Sequence, residues 1–79
     1  MFEQLKNLKK AQEMQRIFEK EKHSVKSGGI EITVNGNLRI ENILIDDSVE
    51  KEQIGSLLKD LINKAFQEIQ QKLARKVLQ

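Results

Sequence analysis

The sequence of 79 residues contains no cysteine, no tryptophan and no tyrosine. Without cysteine, no disulfide can stabilise a chain whose length allows a single domain, residues 1–79. A domain of this size buries only about 60% of the surface that its unfolded chain exposes, so its core alone is marginal. Stability must therefore come from well-packed helices or from a second copy of the chain. The absence of cysteine also agrees with a reducing cytoplasm.

Residues that carry catalysis are also scarce. His23 is the only histidine, and a lone histidine near a helix end is far more often a surface or capping residue than a catalyst. Asp46 and Asp47, the only adjacent carboxylates, could hold a hard cation, but capping of the following helix explains them without new chemistry. Gly28 and Gly29 are followed neither by a helix nor by GK[ST], so a phosphate-binding loop is unsupported. We predict that the protein is not an enzyme and uses no metal, cofactor or small-molecule substrate.

Aromatic platforms and long apolar runs are missing as well. Single-strand binders usually present aromatic side chains between basic residues on a sheet, whereas Phe2, Phe18 and Phe66 fall in or beside helical apolar stripes. No apolar run approaches the roughly 20 residues of a membrane span, and the opening segment MFEQLKNLKK has no apolar signal-peptide core. These absences predict a cytoplasmic protein with no membrane partner. If it binds nucleic acid, that partner should be a duplex held by the helices.

The net charge of +2 hides an uneven distribution. Residues 1–26 carry seven basic and four acidic side chains, residues 27–53 carry two and six, and residues 54–79 carry five and two. Both ends of the chain are therefore basic, while its middle is acidic. Separate basic surfaces attract a polyanion even when the mean charge is modest.

Residues 3–22 predict a first helix, since they lack glycine and proline and are rich in good helix formers. Its apolar residues share one face and its basic residues the opposite face, where Glu13 is the one acid. A solvated helix face normally mixes charges of both signs. Solvation and polyanion contact remain alternative interpretations, and the excess of positive charge favours the second. The apolar face comprises Leu8, Ala11, Met14 and Phe18, and the basic face comprises Lys6, Lys9, Lys10, Arg16 and Lys20.

The middle of the chain alternates apolar and polar residues, as a strand with one buried face does. Asn35-Gly36 interrupts this alternation and predicts a hairpin with a type I′ turn, because both residues tolerate positive φ. The alternation then slips, which a β-bulge near Glu41-Asn42 would explain. Residues 23–26 form a candidate additional strand. The alternating apolar positions are Ile30, Ile32, Val34, Leu38 and Ile40, followed out of phase by Ile43 and Ile45.

A second helix is predicted over residues 49–78. Asp47 with Glu50 three residues later resembles a capping box, and Asp46 offers a further cap oxygen. Gly55 should cost about 1 kcal/mol relative to alanine inside a helix, which indicates close packing there or a later helix start. The apolar stripe comprises Ile54, Leu58, Leu61, Ile62, Ala65, Ile69 and Leu73.

Basic residues close this second helix. Lys72, Arg75 and Lys76 could simply complement the helix dipole, an effect of about 0.3–1 kcal/mol each. They could also project beyond the core and present positive charge to a ligand. The two interpretations carry equal weight on the residues alone, and they are compatible.

The order of elements is α-β-β-α, or α-β-β-β-α with the additional strand, which is an α+β fold with a small antiparallel sheet between two long helices. Such a sheet has exposed edges, and a helix of about 45 Å outruns it. Two copies joined through sheet and helices would cover both, so we predict a homodimer. The residues assigned to the core or dimer interface are Ile30, Ile32, Val34, Leu38, Ile40, Leu58, Leu61 and Ala65.

Several segments resemble the YbaB/EbfC family. Its opening helix, in which a basic pair precedes Ala-Gln and Met-Gln, is similar to LKKAQEMQ at residues 8–15. Its Ser-Gly and V-x-V-x-x-N-G strand and turn is similar to SGGIEITVNG at residues 27–36. Its I-D-P-S element is similar to ILIDDS at residues 43–48, and its late-helix L-V-x-x-A-F to LINKAF at residues 61–66. These similarities occur in the family's order and span nearly the whole chain.

The resemblance implies an α-β-β-β-α fold, a tweezer-like homodimer and binding of double-stranded DNA as a bacterial nucleoid-associated protein. Family genes often neighbour recombination-repair genes, which implies a role in repair or gene regulation. Asp47 replaces the usual proline of the family, so we expect a less rigid entry to the last helix. The sequence also ends at Gln79 without the Gly/Pro/Met-rich tail of longer members. If that tail aids binding elsewhere, we expect weaker affinity here.

Two functional hypotheses follow. In the first, a dimer binds duplex DNA through phosphate contacts, with little reading of base sequence. In the second, the amphipathic helices dock a protein partner and the lysines serve only solubility. The family has no motif that fixes DNA contacts, so charge placement alone selects the predicted contacts. They are Lys6, Lys9, Lys10, Arg16, Lys72, Arg75 and Lys76.

Overall fold

The computed structural model describes the backbone of residues 2–78 and the side chains of residues 3–76. The predicted α+β fold with the order α-β-β-β-α is confirmed, and the strand predicted over residues 23–26 exists. The three strands form one antiparallel sheet in which β2 is central. The side chain of Phe2 lies outside the described residues. The elements are α1 (Phe2–Lys20), β1 (Lys22–Ser27), β2 (Ile30–Asn35), β3 (Ile40–Ile45) and α2 (Lys51–Leu78).

The core lies between α2 and one face of β1 and β2. The alternation predicted for β2 is correct, because Ile30, Ile32 and Val34 are fully buried. Burying a large aliphatic side chain contributes about 1.5–3 kcal/mol, so these residues and the helix residues above them supply most of the stability. Leu58, also assigned to the core or interface, is half-buried. The buried core consists of Val25, Ile30, Ile32, Val34, Leu61, Ala65 and Ile69.

The predicted bulge in β3 is confirmed at Glu41. Thr33 pairs with Asn42, but Val34 pairs with Ile40, so Glu41 is the extra residue on the third strand. The bulge restores the phase of the alternation. Ile40 and the two later isoleucines of β3 therefore point to the same side of the sheet as the buried residues of β2.

The helix α2 packs mainly on β1 and β2 and leaves these β3 side chains partly uncovered. A helix about 10 Å wide spans two strands spaced about 4.8 Å apart, and α2 lies over β1 and β2. Ile40, Ile43 and Ile45 are consequently 41%, 39% and 42% exposed. Ile40, and Leu38 at 43% exposure, therefore do not belong to the core of the single chain. Their assignment to a dimer interface stays a prediction.

The turn chemistry differs from the prediction at Asn35-Gly36. The two-residue loop with positive φ lies instead at Gly28 (59°) and Gly29 (88°), between β1 and β2. After β2, the Asn35 carbonyl accepts from the Leu38 N–H (3.0 Å), and Leu38 has a φ of 60°. This arrangement is the three-residue hairpin loop, a type I turn followed by a left-handed residue. The predicted hairpin is thus present, but the predicted type I′ turn is wrong.

The side chain of Asn35 explains the preference for this loop. Its Oδ1 accepts from the backbone N–H of Asn37 (2.9 Å), which is the local bond that favours asparagine in turns. Gly36 is required for space, since a Cβ there would lie 2.6 Å from the carbonyl oxygen of Phe18. The close approach of this turn to α1 therefore explains why glycine occupies position 36.

The entry to α2 also differs from the prediction. The helix begins at Lys51, so Glu50 precedes the helix and cannot occupy the third helical position of the predicted Asp47 capping box. It is Asp46 whose carboxylate accepts from a backbone N–H, that of Ser48 (3.1 Å). Gly55 lies inside the helix, and apart from the backbone of the helix itself a Cβ there would meet no described atom within 4 Å. Neither close packing nor a later helix start accounts for it.

Most of α1 projects away from the sheet as an arm, defined here as Glu3–Ile17. All arm side chains are exposed, and the first half-buried residue is Phe18. The arm's predicted apolar face is therefore not buried in the single chain, with Leu8 at 59% and Met14 at 52% exposure. The fold is accordingly elongated, with principal extents of 55 × 25 × 16 Å. Within residues 2–78, no helix is both long and apolar enough to cross a membrane.

Candidate nucleic-acid interface

The basic face of the arm, defined here as Lys6, Lys9, Lys10 and Arg16, is exposed along its whole length. None of the ion pairs among the described residues includes any of these four side chains. At 1.5 Å per residue, the helix from Lys6 to Arg16 spans about 15 Å. One strand of B-DNA places a phosphate about every 3.4 Å along its axis, so the face matches a run of about four phosphates.

The basic residues at the end of α2 are placed differently. Lys76 Nζ forms an ion pair with Glu21 Oε1, and Lys72 Nζ lies 3.6 Å from Glu21 Oε2. Lys72 also donates to the backbone carbonyl of Lys22 (3.3 Å). Arg75 is exposed and belongs to none of the ion pairs of the described residues. Two of the seven predicted phosphate contacts are therefore already paired with a carboxylate of the same chain.

Glu21 holds the base of the arm to the end of α2. The hydrogen bond from Lys76, with the charges of Lys76 and Lys72, lowers the pKa of the Glu21 carboxyl below its ordinary value. The carboxyl group is therefore ionised at neutral pH, and the contact is lost as the pH falls through the lowered pKa. Sequence spacing gave no sign of this contact, because 55 residues separate Lys76 from Glu21.

A second ion pair stabilises the same end of the sheet. Lys22 Nζ lies 3.0 Å from the carboxylate of the bulged Glu41. Asn35 Nδ2 donates to the other oxygen of Glu41 (3.2 Å). The Lys22 hydrogen bond, followed by that of Asn35, lowers the pKa of Glu41. The sheet end from which the arm projects is thus fixed by charged contacts, so the basic face is held on a defined base.

The residues considered for catalysis or metal binding are dispersed. His23 Nε2 lies 3.4 Å from Glu68 Oε1 on α2, which places the histidine in a half-buried contact between strand and helix. Among the described residues, no three His, Cys, Asp or Glu side chains lie together as metal ligands would. Asp46 accepts a backbone hydrogen bond in the turn before α2, as described above.

Comparison with known proteins identifies the family. The model of the YbaB/EbfC DNA-binding family matches residues 1–79, so the chain belongs to this family and the resemblance found in the sequence is confirmed. The family is described by DNA binding and not by a reaction.

Curated relatives carry a consistent name. Nucleoid-associated proteins of Rickettsia canadensis (strain McKiel), Rickettsia conorii and Rickettsia prowazekii are each 38% identical over 66 residues, or 81% of this chain. The match covers 62% of each relative, so this chain spans less than two thirds of their length. No solved structure was found to match the chain.

Proposed function

We propose that the chain is a nucleoid-associated protein that binds double-stranded DNA as a homodimer, mainly through phosphate contacts. The observation that carries this proposal is the basic face of the arm, which stands clear of the sheet with its cations exposed. The family description supports DNA as the partner. The names of the relatives support a place in the nucleoid, within the bacterial cytoplasm. Chromosome organisation, gene regulation and DNA repair are the processes that such binding would serve.

Binding of this kind draws its free energy from counterion release. Each phosphate neutralised by a lysine or arginine releases condensed cations, so the logarithm of the affinity falls with the logarithm of the salt concentration by about 0.9 per contact. Four to seven contacts per dimer correspond to a slope of about −4 to −6. Phosphate contacts carry no direct base information, so the proposed binding is largely independent of sequence.

Two exposed apolar surfaces support the homodimer. The apolar side chains of β3 lie next to the core but are only partly covered by α2. The outer edge of β3 is an edge of the sheet and presents unpaired backbone groups. The arm adds Leu5, Leu8, Met14 and Ile17, each more than half exposed. A second copy that covers both surfaces would remove them from water and would place two basic arms on one particle, which is the tweezer-like arrangement implied by the family.

The experiment that tests DNA binding replaces Lys6, Lys9 and Lys10 together with glutamine. We expect a large loss of duplex affinity and a shallower salt slope, with the oligomeric state unchanged. A matched variant replaces three exposed lysines on α2 with glutamine and should bind nearly as the wild type does. Equal losses in the two variants would contradict a contact role for the arm. The control lysines are Lys51, Lys59 and Lys64.

The protein–protein adaptor remains the second candidate, because the apolar residues of the arm are exposed. It predicts that a pull-down partner is retained when Lys72, Arg75 and Lys76 are replaced with glutamine, whereas duplex binding predicts a loss of affinity. Since Lys72 and Lys76 also hold Glu21, this triple variant disturbs the base of the arm. The arm variant described above is therefore the sharper test between the two functions.

A further inference from the structure

A polar cleft of about 560 Å³ separates the last turns of the arm from the turn that joins β2 to β3. Arg16 stands on the arm wall and Arg39 on the turn wall. Arg16 also belongs to the basic face, so the cleft opens beside the surface proposed to bind DNA. Charge distribution along the sequence assigned contacts to the helices and left Arg39 out, because it lies in the acidic middle of the chain.

The two walls are fixed to each other by hydrogen bonds. Asn37 Nδ2 donates to the backbone carbonyl of Gln15 (3.0 Å), and the Gly36 N–H donates to the carbonyl of Phe18 (2.8 Å). The backbone N–H of Arg39 lies 3.4 Å from Asn35 Oδ1 within the same turn. The two arginines therefore project from backbone positions that are set relative to each other, although they lie in different elements.

The groups left for a ligand are mostly donors. The side-chain amides of Asn35 and Asn37 already donate, to Glu41 and to the Gln15 carbonyl. The side-chain amides of Gln12 and Gln15 take part in no hydrogen bond among the described residues. Neither arginine belongs to an ion pair of these residues. Glu19 is the one carboxylate of the lining, so two guanidinium groups and one carboxylate leave a formal charge of +1.

We propose that this cleft binds one phosphodiester of the DNA backbone between Arg16 and Arg39, an inference that rests on the duplex binding proposed above. A single phosphodiester carries the one negative charge that neutralises the cleft. The planar guanidinium group donates in pairs to phosphate oxygens, and glutamine amides are common donors to the DNA backbone. The duplex itself does not enter a cleft of this size, but the phosphate ridge of one strand does. Arg39 then continues the basic face from the arm onto the turn between β2 and β3.

The test compares Arg39→Gln with Lys59→Gln, which removes the same charge from the exposed side of α2. Duplex titrations at several salt concentrations should show about a tenfold loss of affinity per protomer for Arg39→Gln, the factor of one charge-assisted hydrogen bond, and hence about a hundredfold loss for the dimer. The salt slope should fall by about 0.9 per lost contact, hence about 1.8 per dimer. Arg39→Lys should keep most of the salt slope and lose part of the affinity, because lysine keeps the positive charge but lacks the paired N–H donors of the guanidinium group. The loss from Lys59→Gln should stay below twofold.

The remaining outcomes separate the cleft from the proposed function. If the wild type binds no duplex at low salt, both proposals fail. If it binds and Arg39→Gln behaves as Lys59→Gln does, only the cleft proposal fails. Combining Arg16→Gln with Arg39→Gln should cost less than the sum of the single losses, since both side chains hold one phosphodiester. Fully additive losses would overturn the shared site.

Discussion

Replacing Glu21 with glutamine removes the carboxylate that pairs with Lys72 and Lys76 while keeping the size of the side chain. Under the proposed function, DNA phosphates and Glu21 compete for the same two ammonium groups. The variant removes the carboxylate partner of both groups in each protomer, while Lys72 keeps its bond to the Lys22 carbonyl. We therefore expect Glu21→Gln to bind duplex DNA more tightly than the wild type, which is the opposite of the usual result of disrupting an ion pair.

The magnitude follows from the number of cations released. Two lysines per protomer make four in the proposed dimer, and each new phosphate contact steepens the log–log salt slope by about 0.9, so the limit of the change is about 3.6. At low salt, a single additional charge-assisted contact raises the affinity about tenfold. Glu52→Gln makes the same charge change in the first turn of α2, far from the arm, and should leave the slope nearly unchanged.

The assay is a fluorescence titration of duplex DNA at four or five salt concentrations, with sedimentation to verify the oligomeric state. Weaker binding by Glu21→Gln at an unchanged oligomeric state would refute the competition and would mean that the contact serves only to orient the arm. The dependence of Tm on pH gives a second test of the Glu21 contact. Because its lysine contacts lower the pKa of Glu21, any difference in Tm between wild type and variant should be full at neutral pH. It should begin to shrink as the pH falls below the ordinary glutamate value of about 4.3, and it should vanish only below the lowered pKa of Glu21.

Further substitutions test the fold and the dimer. Ile32→Asp puts a charge in the fully buried core and should unfold the chain, whereas Ile43→Asp on the exposed side of β3 should leave a folded monomer. Circular dichroism measures whether each variant is folded, and sedimentation measures whether it is a dimer. A folded Ile32→Asp variant would contradict the assigned core, and a dimeric Ile43→Asp variant would contradict the proposed interface. Gly36→Ala places a methyl group 2.6 Å from the Phe18 carbonyl oxygen and should lower the free energy of unfolding by about 1–3 kcal/mol in urea titrations. Gly55→Ala meets no atom within 4 Å and should raise it by about 0.5–1 kcal/mol; a loss of stability would indicate that a partner covers this side of α2.

Periodicity accounts for the parts of the fold that the sequence predicted correctly. Alternation marked Ile30, Ile32 and Val34 as one face of a strand, and all three are fully buried. The slip in that alternation located the bulge at Glu41. These features depend on local geometry, in which side chains of a strand point to opposite faces in turn.

The apolar periodicity of a strand or helix does not predict how much of its apolar face another element of the chain covers. Ile40 and Ile43 have the correct orientation for a core residue, but α2 is only wide enough for two strands, so both side chains remain exposed. The arm shows the same limit. Its apolar stripe predicted an amphipathic helix, and the helix exists, yet the stripe is not covered by any part of the chain that the structure describes.

The candidate site was predictable only where it is local. The basic face of the arm follows from helical spacing, and its residues are exposed as expected. Glu21 depends on a contact with Lys76 across 55 residues, and Arg39 joins the site because Asn37 brings the turn onto the arm. Long-range contacts of this kind are set by the packing of whole elements, and spacing along the chain does not encode them.

The most direct test of the central claim is a titration of duplex and single-stranded DNA of equal length at several salt concentrations. We expect the duplex to bind more tightly, with an affinity that falls with a log–log salt slope of about −4 to −6, from four to seven phosphate contacts. Single strands lack the regular spacing of phosphates that the arms would match, and they release fewer counterions per contact, about 0.7. Absence of duplex binding at low salt, or binding insensitive to salt while the protein remains folded and dimeric, would contradict the proposed function.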